Sequence, residues 1–352
     1  MELGAYLSVL SKFFIRRYPF QITHFVTSKC NARCNHCFYW KKLNKEKNEL
    51  TLEEIDKVSK SIPQFFSLML TGGEPFLRDD LSDIAQVYYK NNKIKNLGTP
   101  TNGFLPDKIY KTAKRILDSC PGIFYTVSIS LDGLGADHDK SRGVPGAFEK
   151  VKETYSKLSE LKKSYKNFNV DFLTAVTVLN EKKLKEIYDY IKNNFKTEVI
   201  MIMLRGDPKN PDLKCISQET FEYISKLQKD KFKDLSSFNQ PRFKLLIRKR
   251  MHNLRHDLIM KTARENKYVL PCYAGRLDAI IYEGGDVFPC EILDMRMGNL
   301  REFNNDFKKL WNSKQAQKVR DYIKDSKCFC THECANRTNI LFNPKVMFRG
   351  KL

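Results

Sequence analysis

The stretch Cys30-Asn31-Ala32-Arg33-Cys34-Asn35-His36-Cys37, followed directly by Phe38, Tyr39 and Trp40, decides how the rest of the chain is read. Its three thiols, spaced C-x3-C-x2-C in one short loop, can converge on a single soft metal centre, because thiolates select zinc or iron–sulfur clusters over hard cations. Three thiols are one short of the four ligands a cubane wants. A cubane held by three cysteines leaves one iron open, as the missing protein ligand of a catalytic zinc leaves room for substrate, so the octet points to chemistry. A zinc knuckle is the alternative reading of the same octet.

The chain has 352 residues, 41% of them hydrophobic, enough for a packed core with a second module attached. Ten cysteines without a signal-peptide pattern argue for a reducing, cytoplasmic setting in which thiols stay free for metal. The formal charge of +21 comes from lysines spread along the whole length, which suits solvated faces better than a polyanion site. A metal-bearing nucleic-acid binder is the alternative of a different class; its mark would be a steeply salt-dependent affinity. In residues 1–20, Leu3, Leu7, Leu10 and Phe14 form a helical stripe flanked by Lys12, Arg16 and Arg17, with Pro19 ending it. Such an amphipathic helix closes the bottom of a barrel or lies on an anionic membrane surface. No stretch approaches the ~20 uninterrupted apolar residues that a membrane crossing needs.

From Gln21 short apolar runs alternate with lysine-rich helical stretches, the pattern of strand–helix units on a parallel sheet. The fold class is therefore α/β. Strands are expected at Ile22–Thr27, Ser67–Thr71, Asn96–Thr101, Thr126–Leu131, Asn169–Val178 and Glu198–Leu204. Helices are expected at Leu52–Ser61, Asp80–Asn91, Asp107–Cys120, Ala147–Leu161 and Glu181–Asn194. Sites in such folds lie at the carboxyl ends of the strands. There stand Gly72-Gly73-Glu74-Pro75, where residues without Cβ allow close approach of a ligand; Asn102; Ser130 and Asp132; then Arg142, whose planar fork suits a carboxylate. Asn180 reads as a helix N-cap or as an amide facing a ligand.

These motifs together resemble the radical S-adenosylmethionine (SAM) enzymes over about residues 20 to 206. The resemblance implies a partial (β/α)6 TIM-like barrel, open on one side, with a SAM-binding 4Fe-4S cluster on Cys30, Cys34 and Cys37. It also implies SAM contacts from Phe38, Gly72, Gly73, Glu74, Asn102, Ser130, Asp132, Arg142 and Asn180. His36 is read as affecting cluster hydration or SAM packing, not as a ligand.

Residues 207–265 open with Asp207-Pro208-Lys209-Asn210-Pro211 and continue as bridging helices. Phe243, Ile247, Met251, Leu254 and Leu258 make an apolar stripe; Arg248, Lys249, Arg250, Arg255 and Arg264 make the other side, a solvated face or a basic groove for an acidic substrate. In residues 266–352, Cys272 precedes an apolar strand, Gly284-Gly285 signals a hairpin, and Cys290 returns toward Cys272. Cys328, Cys330 and Cys334 can complete a site. The pattern C-x12-G-x4-C, then Gly298-Asn299-Leu300 and a helix with Trp311, resembles the SPASM/twitch extension of the same family. That resemblance implies one auxiliary 4Fe-4S cluster on Cys272, Cys290 and two of the last three cysteines; zinc is the alternative.

Cys120 is read as core. Cys215, after the sixth strand, is a candidate hydrogen donor or an inert thiol. The implied activity is reductive cleavage of SAM and abstraction of a substrate hydrogen. An auxiliary cluster that accepts an electron favours oxidation or cross-linking of a peptide or protein over epimerisation; a small-molecule (sugar or other metabolite) dehydrogenase or epimerase is the alternative. The implied partners are an electron donor such as flavodoxin or ferredoxin and, for a peptide substrate, a separate recognition protein.

Overall fold

The computed structural model describes residues 17–45, 48–230 and 242–349. The expected N-terminal stripe from Leu3 to Phe14 lies outside them. Six strands rich in β-branched and aromatic residues form a parallel run: β1 (Gln21–Thr27), β2 (Ser67–Gly72), β3 (Asn96–Thr101), β4 (Phe124–Ser130), β5 (Phe168–Val176) and β6 (Val199–Met203). Their order follows the sequence, so every carboxyl end faces the same way. Helices return the chain between them. Leu52–Ser61 begins with a capping box, Thr51 accepting from Glu54 N and Glu54 reaching back to Thr51 N. Between sheet and helices Ile22, Leu68, Leu97, Val127 and Val170 pack against Ile55, Ile84, Ile116 and Leu158, all fully or almost fully buried.

The sheet does not stop at the barrel. β7 (Asp278–Ile281) pairs in parallel with β1, Gln21 opposite Asp278, and β8 (Asp286–Phe288) and β9 (Gly298–Asn299) follow antiparallel, giving nine strands in the order β6-β5-β4-β3-β2-β1-β7-β8-β9. The hairpin expected in a separate module thus extends the edge of β1 and satisfies its backbone. Side chains lock the join. Arg301 grips Glu54 through Nε (2.7 Å) and Nη2 (2.8 Å), Phe307 N donates to Ser61 Oγ (2.8 Å), and Trp311 Nε1 donates to Arg17 O (2.9 Å).

Three expectations change. Arg142, expected in the loop beyond the fourth strand, instead ends a helix, Ala136–Arg142, that Gly143 closes at φ 65°. Glu181–Asn194 is broken into a 3-10 turn, a short α-helix (Leu184–Tyr190) and a π-turn (Ile191–Phe195), because lysine-rich stretches carry weak packing signals. The basic groove is not a row of free cations either: Arg264 pairs with Glu222 (2.9 Å) and Arg255 lies 3.7 Å from Glu333. Within the helix Arg242–Glu265, Met251, Leu254 and Leu258 pack against Ile340 and Val346, while the side chains of Phe243, Ile247 and Arg248 lie outside the described residues.

Candidate functional site

The cysteine loop is rooted on β1 and pinned by the strand ends beside it. A Cβ on Gly72 would stand 2.2 Å from Thr27 O, and one on Gly73 2.2 Å from Lys29 O. Gly73 N donates to Thr27 O (2.9 Å) and Glu74 N to Lys29 O (2.7 Å). The close approach expected for a ligand is therefore made by the chain's own backbone, which is why the pair must be glycine. Glu74 is buried and accepts from Asn102 N (2.7 Å), Thr101 Oγ1 (2.9 Å) and Phe76 N (3.2 Å). Burial pushes its carboxyl up to about 7 against the pull of these donors. Asn102 Nδ2 donates to Asn31 Oδ1 (2.7 Å), tying β3 to the loop.

The three thiols are half-buried and meet donors. Burial pushes Cys30 up to about 12 and Cys37 up to about 11 and raises Cys34; Cys30 also feels both other sulfurs. Yet Ala32 N donates to Cys30 Sγ (3.4 Å), Tyr39 N donates to Cys37, and Arg142 Nη1 lies 3.7 Å from Cys34 Sγ. Thiols that cannot ionise alone but face ready donors suit thiolates bound to a cationic centre.

Behind the loop, Asp132 pairs with Arg142 Nη2 at 2.7 Å and lies 3.5 Å from His36 Nε2. Burial would raise its carboxyl, but Arg142, His36 and His138 hold it below the usual range. Burial first, then Arg142, lowers His36 to about 4 against the pull of Asp132, so it is neutral.

Cys272, Cys290, Cys328 and Cys330 converge beside β7 and β8. Cys272 and Cys328 share a hydrogen bond that raises the first thiol and lowers the second to about 7. Cys290, raised by burial, feels the charge of Cys330 and Cys328 and accepts from Leu293 N at 3.3 Å. The side chain of Cys334 lies outside the described residues.

Residues 25–191 match the family model for the radical SAM superfamily, and residues 272–335 match that for the SPASM iron–sulfur cluster-binding domain. The chain belongs to the radical SAM superfamily.

Among curated radical SAM relatives, the AdoMet-dependent heme synthase of Methanosarcina barkeri is 27% identical over 308 residues, 84% of this chain and 83% of that one. A probable GTP 3',8-cyclase of Methanococcus maripaludis is 32% identical over 203 residues, 56% of this chain and 64% of its own. Solved structures share the fold: anSMEcpe with bound AdoMet superposes with TM-score 0.60 at 21% identity over 90% of this chain and 88% of that one. Streptococcus suis SuiB bound to the precursor peptide SuiA gives 0.59 at 16% over 90% and 71%. Radical SAM proteins with a SPASM domain carry a SAM-binding 4Fe-4S cluster and auxiliary clusters.

The structure of this radical SAM chain brings most expected site residues together and shows which protein groups several of them already hold. Phe38 flanks the cysteine loop in edge contact with Phe25 (6.5 Å), and Ser130 is buried at the end of β4. Asp132, expected among the SAM contacts, has both oxygens bonded inside the protein, Oδ1 to Ala175 N (2.9 Å) and Oδ2 to Arg142 and Ser141. Asn180 is neither a side-chain cap nor free for SAM: Nδ2 donates to Asp132 O and Ala175 O (both 2.9 Å), and Oδ1 accepts from Thr177 N (2.9 Å). Cys215 is exposed, outside this buried group. Three residues escape sequence reasoning, Arg205, Glu291 and His332. Only the last two carry a hint, standing next to Cys290 and between Cys330 and Cys334.

Proposed function

We propose that Cys30, Cys34 and Cys37 hold the SAM-binding cluster, and that Cys272, Cys290, Cys328 and Cys330 hold one auxiliary cluster. The observation that carries this is the convergence of two donor-lined cysteine groups on the β1 side of one sheet. When bound, cluster and SAM supply abstraction of a substrate hydrogen through reductive cleavage of SAM. The chain's residues orient and exclude water. Arg142 Nε is buried with no hydrogen-bond partner among the described residues, while Asp132 fixes the guanidinium so that this edge can receive a carboxylate. Glu74 and Asn102 hold the loop, and neutral His36 fills space without adding charge. Gly72, Gly73, Phe38 and Ser130, which border the cysteine loop, are the residues that would hold SAM beside it.

The reaction class we infer is oxidation of the substrate, for which an auxiliary cluster held by Cys272, Cys290, Cys328 and Cys330 would supply the one-electron acceptor. For the substrate, the relative aligned over most of both chains favours a tetrapyrrole, since the peptide-binding proteins share the fold alone. Anaerobically reconstituted protein with dithionite is expected to yield 5′-deoxyadenosine and methionine, and the triple Cys30/Cys34/Cys37→Ala variant neither. Wild type with full iron that makes neither product overturns the reading. An iron porphyrin, and not a ribosomal peptide, is expected to raise turnover; the reverse result restores the peptide reading.

A further inference from the structure

The segment after β6 touches both cysteine groups. The Arg205 guanidinium lies 4.5 Å from the centre of the Phe38 ring, one residue beyond Cys37. Its Nε stands 2.9 Å from Glu291 Oε2, one residue beyond Cys290; the N–H is not aligned with that oxygen, so the contact is an ion pair and not a hydrogen bond. His332, between Cys330 and Cys334, meets the same oxygen at 3.2 Å. The side chains of Glu291 and His332 are 5% and 8% exposed, so the pairing is nearly unscreened. The following backbone is stitched to the cysteine loop: Lys209 N donates to Cys37 O (3.1 Å), Asn210 N to Asn35 O (2.9 Å), and Trp40 Nε1 to Asp207 O (3.1 Å).

We propose that Arg205 is a positioning residue for both metal centres, one fixed cation whose field reaches the SAM-binding cluster through the Phe38 side and the auxiliary cluster through Glu291. This rests on the cluster assignment above. An arginine stays charged at any working pH, and cluster potentials follow the net charge and hydrogen bonding near the sulfurs. Without Arg205, Glu291 keeps only the His332 contact and its negative charge beside Cys290 is less compensated, and added negative charge makes each cluster harder to reduce. Replacing Glu291 by a neutral amide acts oppositely, and at the auxiliary cluster alone.

The test is an EPR-monitored redox titration of reconstituted protein, parent against Arg205→Met, Arg205→Lys and Glu291→Gln, with iron content measured for each. Arg205→Met is expected to lower both midpoint potentials and to raise the 5′-deoxyadenosine formed per product. Glu291→Gln is expected to raise the auxiliary potential alone, and Arg205→Lys to stay near the parent. A merely structural role would not give shifts of opposite sign. Parental potentials in an iron-replete Arg205→Met overturn the proposal while leaving the cluster assignment intact. If Arg205→Met loses iron, the sign of the Glu291→Gln shift decides. Zinc in place of iron in the parent overturns the cluster assignment and this proposal with it.

Discussion

Gly73 shows what a single missing methyl can do in this fold. Its Cβ position is occupied by Lys29 O at 2.2 Å, a backbone atom that cannot swing aside. Gly73→Ala is expected to push the root of the cysteine loop off β1 at a cost on the order of a few kcal/mol, and iron bound per chain should drop while far-UV circular dichroism stays native. Normal iron loading would disprove this. His24 makes a different prediction. It is fully buried on β1 with Nδ1 at 3.0 Å from Tyr88 OH, and burial first, then Arg78, lowers it to about 3 from 6.5. Above pH 6.5 both folded and unfolded chains hold it neutral and its contribution is complete. As pH falls from 6.5 toward 3 the unfolded chain takes the proton alone, so stability is lost across that window, by about 2 kcal/mol at pH 5. His24→Gln, loaded with the same iron, should show a flatter fall in Tm between pH 7 and 5. Exposed Cys215 is not expected to donate hydrogen: in deuterated buffer Cys215→Ala should match wild type in product and carry no solvent label. Label in the wild-type product that disappears along with product in the variant would restore the donor role.

At the scale of elements, the strand–helix alternation predicted from the sequence matches the structure closely. Leu52–Ser61 and Asn96–Thr101 fall at the expected bounds, because a capping box and a run of buried alternate residues are local signals. The helix Ala136–Arg142 was illegible. Its stretch, Ala-Asp-His-Asp-Lys-Ser-Arg, has no apolar stripe, and its place is set by Asp132, which accepts from Arg142 and Ser141 across the turn. Asn180 was illegible for a related reason: three of its four hydrogen bonds are local, to Thr177 and Ala175, but the fourth ties it to Asp132 O, 48 residues back in the chain. The join between β1 and the C-terminal strands rests on side chains too. Arg301 reaches Glu54 from 247 residues away in a two-pronged contact. Arg301→Ala is expected to cost about 1–2 kcal/mol, and limited proteolysis should then release the region after Glu265 sooner than in the parent. An unchanged digestion pattern would show that β7 pairing alone holds it.

For the whole molecule, the cluster inventory is the decisive measurement. About eight irons per chain are expected if both cysteine groups hold cubanes. Cys330→Ala should lower the count to about four while leaving SAM cleavage by the first cluster; the same loss from Cys334→Ala, with Cys330→Ala silent, would reassign the fourth ligand. Among the described residues no helix is long and apolar enough to cross a membrane. By itself the sequence determined the α/β class, the cysteine loop and the strand ends, because those signals are local: thiol spacing, two-residue periodicity and turn-forming glycines. It also brought Cys290 back toward Cys272 through a hairpin and grouped them with two of Cys328, Cys330 and Cys334, without choosing between those three. Only the tertiary structure decided that β7 extends the barrel sheet, that the glycines make room for backbone, and that Arg205 stands between the two cysteine groups. Each of these is a contact between segments far apart in the chain, where spacing carries no information and packing and charge in three dimensions choose the partner.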